Sequence, residues 1–272
     1  MHTARDINLW NDLIPADATV ARQHYRLASV KCDMPLLMLP LAGFKRVHFG
    51  QEIFASGRGE FLMLHGAIDV SVENVPAETL PYKAWIIGFP WPLIELTRQL
   101  ILNGRASALA GTTQHVITQG TVSQSLFDKL FRHLQLLSGA PSAAEIDLSL
   151  MQILVALHGE NASGFLYASD PSLSSRIRIM VSAQPQRDWS SADFENELHV
   201  SGATLRRRLA QENTSLRLLI REARLHVALT LLQTSNKPIK AVAALSGFQS
   251  LSSFRENFIE QFGVSPTDVA NY

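Results

Sequence analysis

Residues 238–266 read Pro238-Ile-Lys-Ala-Val-Ala-Ala-Leu-Ser-Gly247-Phe-Gln-Ser250-Leu-Ser-Ser-Phe254-Arg-Glu-Asn-Phe258-Ile-Glu-Gln-Phe262-Gly-Val-Ser-Pro266, and the rest of the chain is read outward from them. Ile239, Val242, Ala243 and Leu245 are expected on one side of a short helix that Pro238 starts at its first position. Gly247 ends that helix and allows a tight turn. Ser250 caps a second helix, in which Phe254, Phe258 and Phe262 recur every fourth residue and share one buried face. Gly263 closes it, with Pro266 just beyond. Two short helices around a glycine turn, the second polar outside, form a helix-turn-helix, whose second helix enters a DNA major groove. A helical hairpin in an enzyme core has the same spacing, so spacing alone leaves both readings open.

Residue identities go further. Val242-Ala243, Gly247-Phe248, Ser250, Phe254, Phe258, Phe262-Gly263 and Ser265-Pro266 stand in one register. In that register the stretch resembles the second helix-turn-helix of AraC/XylS-type transcription regulators. The resemblance implies a DNA-binding unit of about 100 residues, 173–272, with a first helix-turn-helix at about 191–212 and this second one at about 239–262. On the second recognition helix it assigns Leu251, Ser252, Arg255 and Glu256 to the base-facing positions. A basic residue is common in the family where Glu256 stands; glutamate accepts from cytosine but repels phosphate.

Upstream, a helix fits Ser174 to Ala183, and Ser190 or Ser191 can cap another through Phe194 and Leu198. Ser201 then caps Thr204-Leu-Arg-Arg-Arg-Leu209, where Leu205 and Leu209 point inward and Arg206 and Arg207 outward. By register the family's base-reading positions on this helix are Ala203, Arg206 and Arg207. The planar fork of arginine matches the two major-groove acceptors of guanine, and it binds phosphate equally well. This first motif departs from the family pattern: Glu195 replaces a small residue and His199 the turn glycine. A carboxylate where helices pack closely needs a partner or an outward tilt.

Ser215 to Leu232 is expected to be one long connecting helix with Leu216, Leu219, Ile220, Ala223, Val227 and Leu231 as its buried stripe. Arg217, Arg221 and Arg224 form a second stripe, and the resemblance makes Arg224 a packing residue. About 27 Å of helix can hold two recognition helices roughly one DNA turn, about 34 Å, apart.

The texture from Leu36 to Ile87 is different. Strand-length pieces at Leu36–Leu39, Lys45–Phe49, Glu52–Ala55, Phe61–His65, Ile68–Val72 and Tyr82–Ile87 alternate with Gly, Ser and Pro. This spacing predicts an antiparallel sandwich or barrel. Trp91–Ile101, Ser123–Leu137 and Ala143–Leu157 read as helices. The last two carry apolar stripes (Leu126, Leu130, Leu134, Leu137; Ile146, Leu150, Ile153, Leu154, Leu157), which either cover the sheet or join a second copy. Leu41-Ala-Gly43-Phe-Lys45-Arg46-Val47, Gly50 and Pro81-Tyr82 resemble an N-terminal domain found in a branch of the same family. That implies a cupin-like barrel with flanking helices, which senses an effector or mediates dimerisation. The expected layout is α+β: a lead-in over 1–20, a regulatory or dimerisation domain over 21–160, a linker over 161–172, and the all-α DNA-binding domain.

Composition sets bounds. The hydrophobic content of 46% supports a core, and 18% charged residues argues against wholesale disorder. Net charge is zero, yet residues 173–272 hold 12 Lys and Arg against 9 Asp and Glu, with six arginines between Arg206 and Arg224. Basic charge is therefore local, as a DNA footprint requires. The single cysteine, Cys32, allows neither an internal disulfide nor a cysteine zinc site and suits a reducing cytoplasm. No apolar run of membrane length occurs, and Met1–Asp12 lacks the order of a signal peptide.

The reading that results is a sequence-specific transcription regulator, an activator by analogy with the family. Its partners would be double-stranded promoter DNA, RNA polymerase, a small-molecule effector and a second copy; no cofactor, metal or membrane is expected. Two alternatives stand beside it. One is a cupin-like enzyme, which needs clustered ligands; His48 and His65 lack that spacing. The other is a protein-binding adaptor with a weakened DNA-binding domain, suggested by Glu195, His199 and Glu256.

Overall fold

The computed structural model describes residues 15–102 and 116–271. The expected lead-in up to residue 14, including Asp6 and Asp12, lies outside the described residues. No helix among the described residues is long and apolar enough to cross a membrane.

The N-terminal part is built from β1 (Thr19–Ala21), β2 (Tyr25–Cys32), β3 (Leu36–Ala42), β4 (Phe44–Phe49), β5 (Glu52–Ser56), β6 (Glu60–Leu64), β7 (Ile68–Val75), β8 (Tyr82–Gly88), α1 (Trp91–Leu102), β9 (Ile117–Thr121), α2 (Gln124–Leu137) and α3 (Ala143–Gly159). The strands make two antiparallel sheets, of order β1-β8-β3-β6-β9 and β2-β7-β4-β5. The expected barrel is thus two sheets that face each other without closing. Tyr25, Leu27, Val47, Val70 and Val72 of one pack with Met38, Leu62, Leu64, Tyr82 and Ala84 of the other.

The five-stranded sheet is buried on both faces, which is why β3 is apolar at nearly every position. Its outer residues Leu37, Leu39, Leu41, Phe61 and Met63 meet Leu126, Leu130, Leu150, Ile153, Leu154 and Leu157. The stripes of α2 and α3 therefore cover the sheet of their own chain. Leu137, expected on the buried face, is 41% exposed at the end of α2. Ser123 caps α2, and Ser142 with Glu145 forms a capping box on α3.

The helical part comprises α4 (Leu173–Ala183), α5 (Ser191–Leu198), α6 (Gly202–Gln211), α7 (Leu216–Thr234), α8 (Ile239–Leu245), α9 (Leu251–Phe262) and α10 (Pro266–Val269). Ser172, Ser190, Ser201, Ser215, Ser250 and Ser265 each accept a backbone N–H at a helix start. Pro238 is the cap residue of α8 rather than its first helical residue. Leu245 is 39% exposed, because the face through Ile239, Val242 and Ala243 continues at Ser246. Ser246 is buried and its hydroxyl bonds Val242 O at 2.7 Å.

Two cores result. Ile177, Val181, Phe194, Leu205 and Leu209 close around Leu219 and Ala223, on the N-terminal half of α7. The C-terminal half of α7 instead buries Leu225, Ala228, Leu229 and Leu232 with Val242, Phe254, Phe258, Phe262 and the inner core of the sheets. The expected stripe of α7 is thereby corrected. Leu216, Ile220, Val227 and Leu231 are half-buried, while Leu225, Leu229 and Leu232 are buried. A helix with different neighbours along its length does not keep one buried face.

Candidate nucleic-acid interface

Helices α5 and α6 form one helix-turn-helix, α8 and α9 the other, and α7 joins them. At 19 residues, α7 is about 28 Å long. In α9, Phe254 and Phe258 lie 5.6 Å apart between ring centroids, and Phe258 and Phe262 4.7 Å apart. This ladder presses one face of α9 into the core and leaves the other to solvent. In α6, Leu205 and Leu209 do the same.

All the residues assigned to base reading except Leu251, which packs against the core, lie on these outer faces. Ala203, Arg206 and Arg207 are exposed on α6. Ser252, Arg255 and Glu256 are exposed on α9, and Leu251 is half-buried at its start. The side chains of Arg206, Arg207, Arg208 and Arg255 have no hydrogen-bond or ion-pair partner among the described residues.

The two departures in the first motif are accommodated locally. His199 takes the left-handed conformation, φ +52°, where a glycine would ordinarily sit, and Val200 N–H reaches back to Glu195 O at 3.1 Å. The Glu195 carboxylate accepts from Ser191 Oγ at 2.8 Å. It also occupies space that a side chain at 202 would need, since a Cβ on Gly202 would lie 2.6 Å from Glu195 Oε1. The small residue of the helix pair has moved from the first helix to the second. The entry to α5 is a capping box in which Ser190, and after it Arg187, hold the Asp193 carboxyl down at about 2.

Arginines of α7 brace the two heads. Arg224 donates from Nε to Pro185 O at 2.9 Å and from Nη2 to Arg187 O at 3.0 Å. Gly247, φ +85°, sits against this brace: a Cβ there would run into Pro185 O and lie 2.8 Å from Arg224 Nε. The turn of the second head thus rests on the loop that leads into the first. Arg221 donates to Asn257 Oδ1 at 2.9 Å and pairs with Glu260 at 3.4 Å, tying α7 to α9.

Sequence reasoning missed the seam between sheets and helices. Arg178 of α4 meets the Asp33 carboxylate at 2.6 Å and Glu222 of α7 at 3.2 Å. Burial alone would lower the Arg178 pKa, but these two carboxylates raise it. His226 accepts the Lys31 backbone N–H at 3.0 Å, and burial drives its pKa down to about 4. Tyr25 accepts from Gln233 Nε2 and Asn74 Nδ2, both at 2.9 Å. Arg22 Nε reaches Asn271 O at 3.1 Å. The available signal was Glu222, an acidic residue in the middle of a helix otherwise read as packed. The two histidines weighed for an enzyme lie apart: His48, on β4, pairs with Glu73 at 2.8 Å, and His65, just past the end of β6, meets Thr118 Oγ1 at 2.7 Å.

Residues 195–272 match a helix-turn-helix domain family. Over 120 residues the chain is 32% identical to the virulence regulon transcriptional activator VirF of Shigella flexneri, covering 43% of this chain and 46% of that one. Over 98 residues it is 31% identical to the transcriptional regulator GadX of Escherichia coli, covering 36% of each. The chain thus spans less than half the length of these curated relatives. Among solved structures, an apo form of a ToxT variant of Vibrio cholerae matches 92% of this chain and 94% of its own, with a TM-score of 0.58 and 16% identity. ToxT with a bound unsaturated fatty acid gives a TM-score of 0.59 over 92% of each chain at 15% identity. At that identity the likeness is one of fold, a β-sheet part followed by two helix-turn-helix units.

Proposed function

We propose that this protein, whose C-terminal part is an AraC/XylS-type helix-turn-helix domain, is a sequence-specific transcription regulator that reads promoter DNA through residues 173–272. Ala203, Arg206 and Arg207 address one stretch of major groove, and Leu251, Ser252, Arg255 and Glu256 a neighbouring one. The observation that carries this is the set of arginines on the outer faces of α6 and α9, exposed and without an acidic partner among the described residues. Such side chains are free to pair with guanine or phosphate.

Activation follows the printed roles of VirF and of the activator FapR, and RNA polymerase is the partner such a role would call for. Residues 21–160 act as the regulatory domain in a cytoplasmic protein. A small-molecule effector fits the hollow of about 470 Å³ at the seam, lined by Lys31, His65, Asp69 and Arg178 among others. That ToxT, alike in fold, is found with a bound unsaturated fatty acid supports an effector for this chain too. Leu148 and Val155, exposed two turns apart on α3, would serve self-association.

The test uses the full chain. Preferred duplexes are selected from a random pool, and affinity is measured against salt. Binding should fall steeply with salt. Arg206→Ala or Arg207→Ala should cost about 1–3 kcal/mol and relax preference at one base pair. Selection that yields no motif would refute the reading, and two arginine variants that bind like the parent would remove α6 as a reader.

A further inference from the structure

A cavity of about 510 Å³ opens between the two heads, within the range of small-molecule sites. Its apolar walls come from three places: Trp189 ahead of the first helix-turn-helix, Leu216 and Ile220 on α7, and Phe248 in the turn of the second. All four are half-buried. Arg217, Arg221 and Arg224 rise from the same helix around these walls, with Asp188 as the carboxylate among the lining residues.

The three guanidinium groups are not equivalent. Arg224 is committed to two carbonyls and Arg221 to Asn257 and Glu260. Arg217 is exposed and has no partner among the described residues. The seam hollow differs here, because its cations Lys31 and Arg178 already face Asp69, Asp33 and Glu222. An unspent cation at the mouth of an apolar cavity complements a molecule with one anionic end and an apolar body.

We propose that the cleft between the two heads is a binding site for a small amphipathic organic anion, a monocarboxylate held by Arg217 with its apolar body against Leu216, Ile220, Trp189 and Phe248. A DNA phosphate is the competing occupant of Arg217. The apolar walls favour the organic anion, since a phosphate has nothing to bury against them. The site stands independently of base reading by α6 and α9.

The probe is 4-(trifluoromethyl)cinnamate, titrated into the full chain without DNA and followed by fluorine-19 NMR, with the neutral amide as control. Saturable binding of the acid is expected, with a Kd of about 0.1–1 mM for a ligand of this size. Arg217→Ala should weaken the acid at least tenfold and leave the amide unchanged, and Arg217→Glu should abolish acid binding. Arg217 is exposed, and circular dichroism verifies that both variants fold. Equal binding of acid and amide, absence of saturation, or an Arg217→Ala variant that binds the acid like the parent would overturn the proposal. So would a variant that loses DNA affinity while retaining acid binding, which would assign Arg217 to phosphate.

Discussion

Replacing Lys45 with methionine tests the polar chain that runs from the interior of the sheets to α7. Lys45 is 3% exposed, and its Nζ has Asn74 Oδ1 as a partner at 2.8 Å, with the Tyr82 ring 5.8 Å away. Asn74 then donates to Tyr25, which also accepts from Gln233 of α7. Burial lowers the Lys45 pKa from 10.5 to about 8. Below pH 8 the folded and unfolded states both carry the proton, and the folded state bears the full desolvation cost. At 1.36 kcal/mol per pKa unit that cost is about 3 kcal/mol. Between pH 8 and 10.5 the unfolded state binds more protons, so stability from this group rises with pH.

Methionine removes the charge and its pH dependence. It also leaves Asn74 Oδ1 without a donor, a loss of about 1–3 kcal/mol, and forfeits the ring contact, about 1 kcal/mol. At pH 7 these effects nearly cancel, so the stability at a single pH is a poor readout. The slope is the better one. Urea unfolding of both proteins at pH 8, 9 and 10 should show the parent gaining about 2 kcal/mol on the variant across that range. Tyr25 and Tyr82, whose pKa values burial pushes up, titrate in both proteins and drop out of the difference; Cys32, which burial pushes up to about 12 against the pull of Lys45, stays a thiol in both folded proteins up to pH 10. Parallel curves would refute the claim that a buried ammonium is held by an amide.

Three further outcomes can be checked directly. His199→Gly should raise unfolding stability by about 1 kcal/mol in urea melts, because it relieves a left-handed non-glycine residue, and should leave DNA affinity unchanged. Gly247→Ala should destabilise by more than about 2 kcal/mol, since its Cβ would enter the Pro185 carbonyl at a positive φ, and should weaken DNA binding at permissive temperature if the two heads part. Cys32, buried with its thiol pushed up to about 12, should resist iodoacetamide in the folded protein, and Cys32→Ser should leave regulation intact; rapid labelling without unfolding would contradict its place in the core.

What could be read in advance follows from how local each cause is. Phe254, Phe258 and Phe262 share a face because helix geometry alone puts them there, and the serine caps are decided within three residues. Strand β2 was not anticipated. Its alternation breaks at the bulge between Leu27 and Val30, and Ser29 and Lys31 interrupt the apolar rhythm. Leu245 was misplaced because six residues from Ile239 is off the shared face, which the 3.6-residue period already implied. The residues proposed to face bases came from register with a family and not from spacing. The seam depends on pairs such as Asp33 and Arg178, 145 residues apart, for which no local pattern exists.

That seam changes what the N-terminal part does for DNA reading. The second head shares one apolar core with the two sheets, while the first head closes a separate core on the other half of α7. The second head is therefore fixed to the sheets by burial. The first is held to them by polar contacts, chiefly Arg178 with Asp33, and to the second head by Arg224 and the Gly247 turn. Apolar burial is the harder of the two to undo, because a polar contact given up to water is largely replaced by new hydrogen bonds. A ligand that disturbs Asp33 or Lys31 at the seam would accordingly shift the first head against the second. Removing the sheets altogether would uncover one side of the second head's core. For this reason the intact chain, and not the isolated helical part, is the unit whose DNA binding carries information about regulation.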